Sequence, residues 1–201
     1  MSTTIDIETL AWDKQAGLLP VIVQDASTLR VLMLGYMNRE ALAATLASGK
    51  VTFYSRSKQR LWMKGEISGH VLDVASIEAD CDADTLLVQA HPHGHTCHLD
   101  RISCFPDAPG DGLMALDVLI AQRERERPTG SYTTQLFESG IRRIAQKVGE
   151  EGVETALAAV VQDDAALLGE AADLLYHLTV LLRARGLSLT DAKQVLAARR
   201  G

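Results

Sequence analysis

Phe105-Pro106-Asp107-Ala108-Pro109-Gly110-Asp111-Gly112 is the stretch whose reading decides the fold. Its prolines and glycines break regular structure, so it reads as a linker. Before it, short apolar runs alternate with turn residues. After it, no convincing strand pattern occurs and the apolar residues recur at helical spacing. Division here predicts one domain over 1–106 and another over 113–201, each near the common domain size of about 100 residues. The expected fold class is an α+β (mostly β) N-terminal domain followed by an all-α helical C-terminal domain.

Working back from the linker, Leu19–Val23 and Arg30–Leu34 read as strands around the polar turn Gln24–Thr28. Asn38 is placed to cap a helix through Ala47, which Gly49 stops. Val51–Tyr54, Val71–Ile77 and Leu86–Ala90 read as further strands. Working forward, Leu113, Leu116, Leu119 and Ile120 mark a helix that ends at Pro128-Thr129-Gly130. Leu136, Ile141, Ile144 and Val148 mark a second, running on into Val153–Val161. Asp163 or Asp164 caps another through Arg185, ended by Gly186, and Thr190 opens a short terminal helix.

A net charge of −6 over 201 residues argues against a broad nucleic-acid-binding surface. The N-terminal MSTTIDIETLAWDK has no apolar core of a signal sequence. The most apolar stretch, Ala165–Leu182, is interrupted by Glu170, Asp173 and His177 and does not read as a membrane span. Three cysteines without a signal fit a reducing compartment. Together these lead us to expect a cytoplasmic protein with no nucleic-acid or membrane partner.

Two acidic clusters of different period carry the chemistry. In DCDAD, Asp80, Asp82 and Asp84 alternate, which on an extended segment puts three oxygen donors on one face. Such a set suits Mg²⁺ or a solvated acidic turn. An EF-hand is excluded, because its sixth and twelfth positions are Thr85 and His91 here. Regular strand geometry would turn Cys81 to the opposite face. By spacing, Cys81, Cys97 and Cys104 suit either an open zinc site or structural burial.

GLLPVIVQDA, VLMLGYMN, FYSRSKQRLW, KGEISGH, DCDAD and CHLDRISCF occur in the order found in phosphoribosyl-AMP cyclohydrolases, and the first half resembles that family over nearly its whole length. The resemblance implies opening of the adenine ring of phosphoribosyl-AMP in histidine biosynthesis. It also implies Cys81, Cys97 and Cys104 as Zn²⁺ ligands, Asp80, Asp82 and Asp84 as Mg²⁺ ligands, and a homodimer whose zinc sites draw cysteines from both subunits. Zinc lowers the pKa of bound water towards 7, which suits hydrolysis at a ring carbon. His98 is the candidate proton shuttle, or else it orients the loop. Ser55, Arg56, Ser57, Lys64 and Ser68 are expected to bind the phosphoribosyl group. Trp62 either stacks on a base or packs in the core. The chain departs from the family pattern at His70, usually Asn, and at Leu99-Asp100, usually Thr-Gly.

In the second half, Glu151 and Glu154 share a helix face at i,i+3, and Glu170 and Asp173 repeat the spacing on the next helix. Packed antiparallel, these helices would bring four carboxylates to one spot, which requires cations such as Mg²⁺. SYTTQL, QKVGEEGVE and EAADLLYHLTVLL resemble phosphoribosyl-ATP pyrophosphohydrolase, a member of the all-α MazG-like group. By motif, Glu151, Glu154, Glu170 and Asp173 are the implied Mg²⁺ ligands. Glu150 is a further ligand or base candidate, and Lys147 a phosphate-holding cation. The joined resemblances imply a bifunctional hydrolase that takes an ATP-derived phosphoribosyl nucleotide through two consecutive steps.

Overall fold

The computed structural model describes residues 5–199, so the first four and last two residues of the expected domains lie outside the described residues. The chain divides into two compact units, Met1–Asp111 and Gly112–Gly201.

In the first unit β1 (Leu19–Asp25) buries every second residue, Leu19, Val21 and Val23 among them. That alternation is what a half-buried strand requires. It lies antiparallel to β2 (Val31–Met37) and parallel to β6 (Leu86–Pro92), which pairs antiparallel with β5 (Leu72–Ala79). The sheet order is therefore β2-β1-β6-β5. Helix α1 (Arg39–Ser48) follows β2, with the Asn38 side chain accepting from the Ala41 amide and Gly49 closing its C-terminus. β3 (Thr52–Ser55) and β4 (Arg60–Met63) form a separate hairpin. Phe53 on β3 is buried with Leu19, Leu32, Leu42 and Leu72 in one apolar core.

The strand expectations hold to within a few residues, except that β4 goes unread. Its sequence, RLWM, begins with a charged residue and follows the polar run Arg56–Gln59, so no alternation announces it. Pairing with β3 from Thr52↔Met63 to Ser55↔Arg60 creates the strand.

The second unit is helical throughout its described residues: α2 (Gly112–Glu126), α3 (Tyr132–Ser139), α4 (Ile141–Val161), α5 (Asp164–Ala184) and α6 (Leu189–Ala198). The expected single helix from Leu136 to Val161 is in fact two. Gly140 sits at φ 81 and ψ 166, a conformation essentially confined to glycine, and it separates α3 from α4. Asp163 caps α5 through the Ala166 amide, and Ser188 forms a capping box with Asp191 at the start of α6. Ile120, Leu136, Ile144 and Val180 make the core. Beside it, Arg183 grips the buried Asp117 in a two-toothed ion pair at 2.7 and 2.5 Å, locking α5 to α2. α5 is long and apolar enough by length and composition to cross a membrane, yet Glu170, Asp173 and His177 lie along it.

Candidate active sites

In the first unit the segment after β6 returns along β2. The Ser103 hydroxyl donates to the Val31 carbonyl at 2.7 Å, and the Cys104 amide donates to the Leu32 carbonyl at 2.8 Å. This return brings Cys104 beside Cys97 on the wall of one cavity. Burial, and then the neighbouring Cys97, push the Cys104 thiol above its ordinary pKa. The pair lines a cavity of about 490 Å³ together with Trp62, Lys64, Ser68 and His98. Lys64 is almost fully buried, and burial lowers its pKa against the opposing pull of Cys104 and Cys97. His98 Nδ1 stands 4.0 Å from Cys97 Sγ.

Trp62 tilts against the core ring of Phe53 at 5.7 Å, as the packing reading expects, and also lines the cavity. Ser55 lines a smaller neighbouring cavity of about 120 Å³, which shares the Trp62 wall. Arg56 lies over the Tyr36 ring at 3.8 Å, and Ser57 contacts Ser55 at 3.4 Å; neither lines these two cavities. The cavity loop is shaped at Gly65, whose φ of 84 favours glycine and where an added Cβ would meet the His70 backbone at 2.4 Å. The two departures from the family pattern also fall here. His70 faces the cavity edge-on to His95. Asp100 adopts φ 54, left-handed backbone for which the usual glycine is suited and which Asp tolerates better than most residues.

Asp80, Asp82 and Asp84 converge, with ligand oxygens within 4.8 Å of one another. They do so by a route other than the extended one expected. β5 ends at Ala79, and the aspartates sit on a turn in which Ala83 is left-handed and Asp80 accepts from the Asp84 and Thr85 amides at 3.0 and 3.1 Å. Lys14, distant in sequence, bonds Asp82 at 2.6 Å and lies 3.4 Å from Asp84, and this depresses the pKa of the Asp82 carboxyl. No spacing signal could have linked Lys14 to this turn. Cys81 is exposed on the same turn, and the close donor groups of three among the described residues include no cysteine.

In the second unit α4 and α5 bring Glu151, Glu154 and Glu170 together, again with oxygens within 4.8 Å. Asp173 lies one turn along α5, exposed and outside that group. Glu151 is buried, and Lys147 Nζ bridges it at 2.6 Å to Glu150 at 3.1 Å. Hydrogen bonds to Glu151 first and Glu150 second raise the Lys147 pKa well above its ordinary value. Glu150 is held below the usual carboxylate range by Lys147 and then Gln146. His177 adjoins Glu151 and Tyr132 in turn contacts His177, and neither received a role from the sequence. The donor chemistry fits the expected metals: adjacent thiols are soft ligands suited to zinc, and clustered carboxylates are hard ligands suited to magnesium.

One unit is thus an α+β scaffold with a thiol-lined cavity and the other a helical scaffold with clustered carboxylates, the layout of a two-domain hydrolase. The family model described as phosphoribosyl-AMP cyclohydrolase matches residues 33–106, and that described as phosphoribosyl-ATP pyrophosphohydrolase matches 113–200. The chain is 73% identical over 199 residues to the histidine biosynthesis bifunctional protein HisIE of Xanthomonas axonopodis pv. citri, covering 99% of this chain and 97% of that protein. Identity to the proteins of the same name is 60% in Salmonella typhimurium (90% of each chain) and 58% in Escherichia coli (94% of this chain, 95% of that one). The chain belongs to this family of bifunctional histidine-biosynthesis enzymes, with phosphoribosyl-AMP cyclohydrolase and phosphoribosyl-ATP pyrophosphohydrolase activities.

Proposed function

We propose that the helical unit acts first, hydrolysing phosphoribosyl-ATP to phosphoribosyl-AMP and pyrophosphate, and that the α+β unit then opens the adenine ring. The observation that carries this assignment is the presence of two chemically distinct donor sets, each inside one unit: carboxylates on α4 and α5, thiols beside a cavity next to β2.

In the helical unit Glu151, Glu154, Glu170 and Asp173 would hold Mg²⁺, which when bound neutralises charge on the triphosphate and its leaving group. Lys147 remains cationic and is placed to exchange Glu151 for a substrate phosphate. Glu150, ionised at neutral pH by its contacts with Lys147 and Gln146, is the nearby proton acceptor for the attacking water.

In the α+β unit Cys81, Cys97 and Cys104 would hold Zn²⁺, which when bound lowers the pKa of a water towards 7. Asp80, Asp82 and Asp84 would hold Mg²⁺ once Lys14 yields them. Lys64 and Ser68 grip the phosphoribosyl group, Trp62 offers its face to the base, and His98 carries protons to the ring nitrogen that is released. Among the described residues the three cysteines form no close three-donor group, which fits a homodimer whose zinc sites take cysteines from both copies. The protein works in the cytoplasm on small phosphoribosyl nucleotides.

The test is one incubation of the chain with phosphoribosyl-ATP, zinc and magnesium, measuring pyrophosphate and ring-opened product separately. Both products are expected, with phosphoribosyl-AMP as the intermediate. Pyrophosphate alone from zinc-loaded protein would contradict the assignment of the first unit.

A further inference from the structure

A polar chain, buried at His177 and Thr133, adjoins Glu151 in the helical unit, and no step above uses it. His177 on α5 is 4% exposed. A buried imidazole needs partners for both nitrogens. Its Nδ1 lies 2.9 Å from the Asp173 carbonyl oxygen, which can only accept, so Nδ1 carries a proton. In the neutral ring Nε2 is an acceptor, and the Tyr132 hydroxyl donates to it at 3.1 Å. The two contacts fix one tautomer and one ring orientation.

The brace continues outward. Tyr132 stacks on Tyr176 at 6.1 Å, and the Tyr176 hydroxyl meets Thr133 Oγ1 at 2.8 Å. Thr133 in turn accepts from Arg123 at 3.3 Å. α2, α3 and α5 therefore all contribute to holding the ring of His177. The same edge of the ring faces Glu151, with Nδ1 3.6 Å from Oε1, a packing and electrostatic contact longer than a hydrogen bond.

Glu151 thus has two unlike neighbours. Lys147 is a flexible cation that must leave when a phosphate claims it. His177 is pinned. A carboxylate released by Lys147 and left unbraced would turn away from Glu154 and Glu170, because like charges repel.

We infer that Tyr132 and His177 are a positioning pair for pyrophosphate release: Tyr132 locks His177, and His177 keeps the Glu151 carboxylate turned towards Glu154 and Glu170 when Lys147 departs. This rests on the reading of Glu151 as a Mg²⁺ ligand, and the experiment separates the two.

Mn²⁺ binding to the full chain is measured by electron paramagnetic resonance, with kcat and KM for pyrophosphate release and with ring opening of phosphoribosyl-AMP as the internal control. Tyr132→Phe and His177→Leu are expected to weaken Mn²⁺ binding roughly tenfold, the range seen when an outer partner of a metal ligand is lost. Both should lower kcat more than they change KM, with ring opening at the parental rate. His177→Asn keeps an N–H donor near Nδ1 and should recover much of the affinity lost in His177→Leu. Parental Mn²⁺ affinity in Tyr132→Phe and His177→Leu, with Glu151→Gln losing it, would overturn the inference and leave the metal reading standing. Parental affinity in Glu151→Gln would overturn both. Equal loss in His177→Asn and His177→Leu would reduce His177 to a packing residue and also overturn the inference. Should His177→Leu fail to fold, Tyr132→Phe decides, since it removes one oxygen from a half-exposed side chain.

Discussion

The two sites of this chain are built on opposite principles. In the helical unit, helix geometry preassembles the donors: i,i+3 spacing sets Glu151 beside Glu154, and packing of α4 on α5 adds Glu170. In the α+β unit the donors lie on turns and a returning segment, with Cys97 and Cys104 together and Cys81 on a separate acidic turn. Regular secondary structure can therefore complete a cluster within one chain. A site made of loops depends on what the scaffold, a metal or a second copy brings to it.

That contrast breaks most visibly in crossed variants. Glu151→Gln should abolish pyrophosphate release, costing more than the roughly tenfold to hundredfold of an outer-partner mutation, and leave ring opening intact. Cys97→Ser should do the reverse, with loss of bound zinc read by atomic absorption. His98→Ala should slow ring opening by about a hundredfold or more while zinc stays bound. Full turnover in that variant would show His98 to be a loop-orienting residue.

Stability sharpens the comparison at smaller scale. Arg183→Met leaves Asp117 buried without its partner, and should destabilise the helical unit by about 3 kcal/mol in a denaturant melt followed at 222 nm. The smallest effect expected is in the α+β unit. Lys50 first and His93 second hold the Asp73 carboxyl below the usual carboxylate range. A folded pKa below the unfolded one stabilises above the unfolded value and is lost as pH falls through the folded value. The Tm difference between Asp73→Asn and the parent should therefore be present at pH 7 and shrink in acid.

The same contrast governs how far the sequence alone can be read. Helix spacing exposes Glu151, Glu154 and Glu170, because residues three apart on a helix are neighbours. It could not place the break at Gly140, where a glycine-only conformation interrupts an otherwise continuous apolar period. Strands with alternating burial were legible, whereas β4 was not, since its partner β3 and not its own pattern creates it. Long-range contacts were invisible. Lys14 on Asp82, Cys104 against Cys97 and Tyr132 on His177 all depend on tertiary packing that no local spacing encodes. The stacking of Arg56 on Tyr36 is another such contact.

The central claim is that two independent sites in one chain perform consecutive hydrolyses. The most direct test offers the full-length Glu151→Gln chain, loaded with zinc and magnesium, phosphoribosyl-ATP in one reaction and phosphoribosyl-AMP in another. No pyrophosphate is expected from the first, and ring opening at the parental rate is expected in the second. Loss of both activities in the folded chain, or ring opening of phosphoribosyl-ATP without pyrophosphate release, would contradict it.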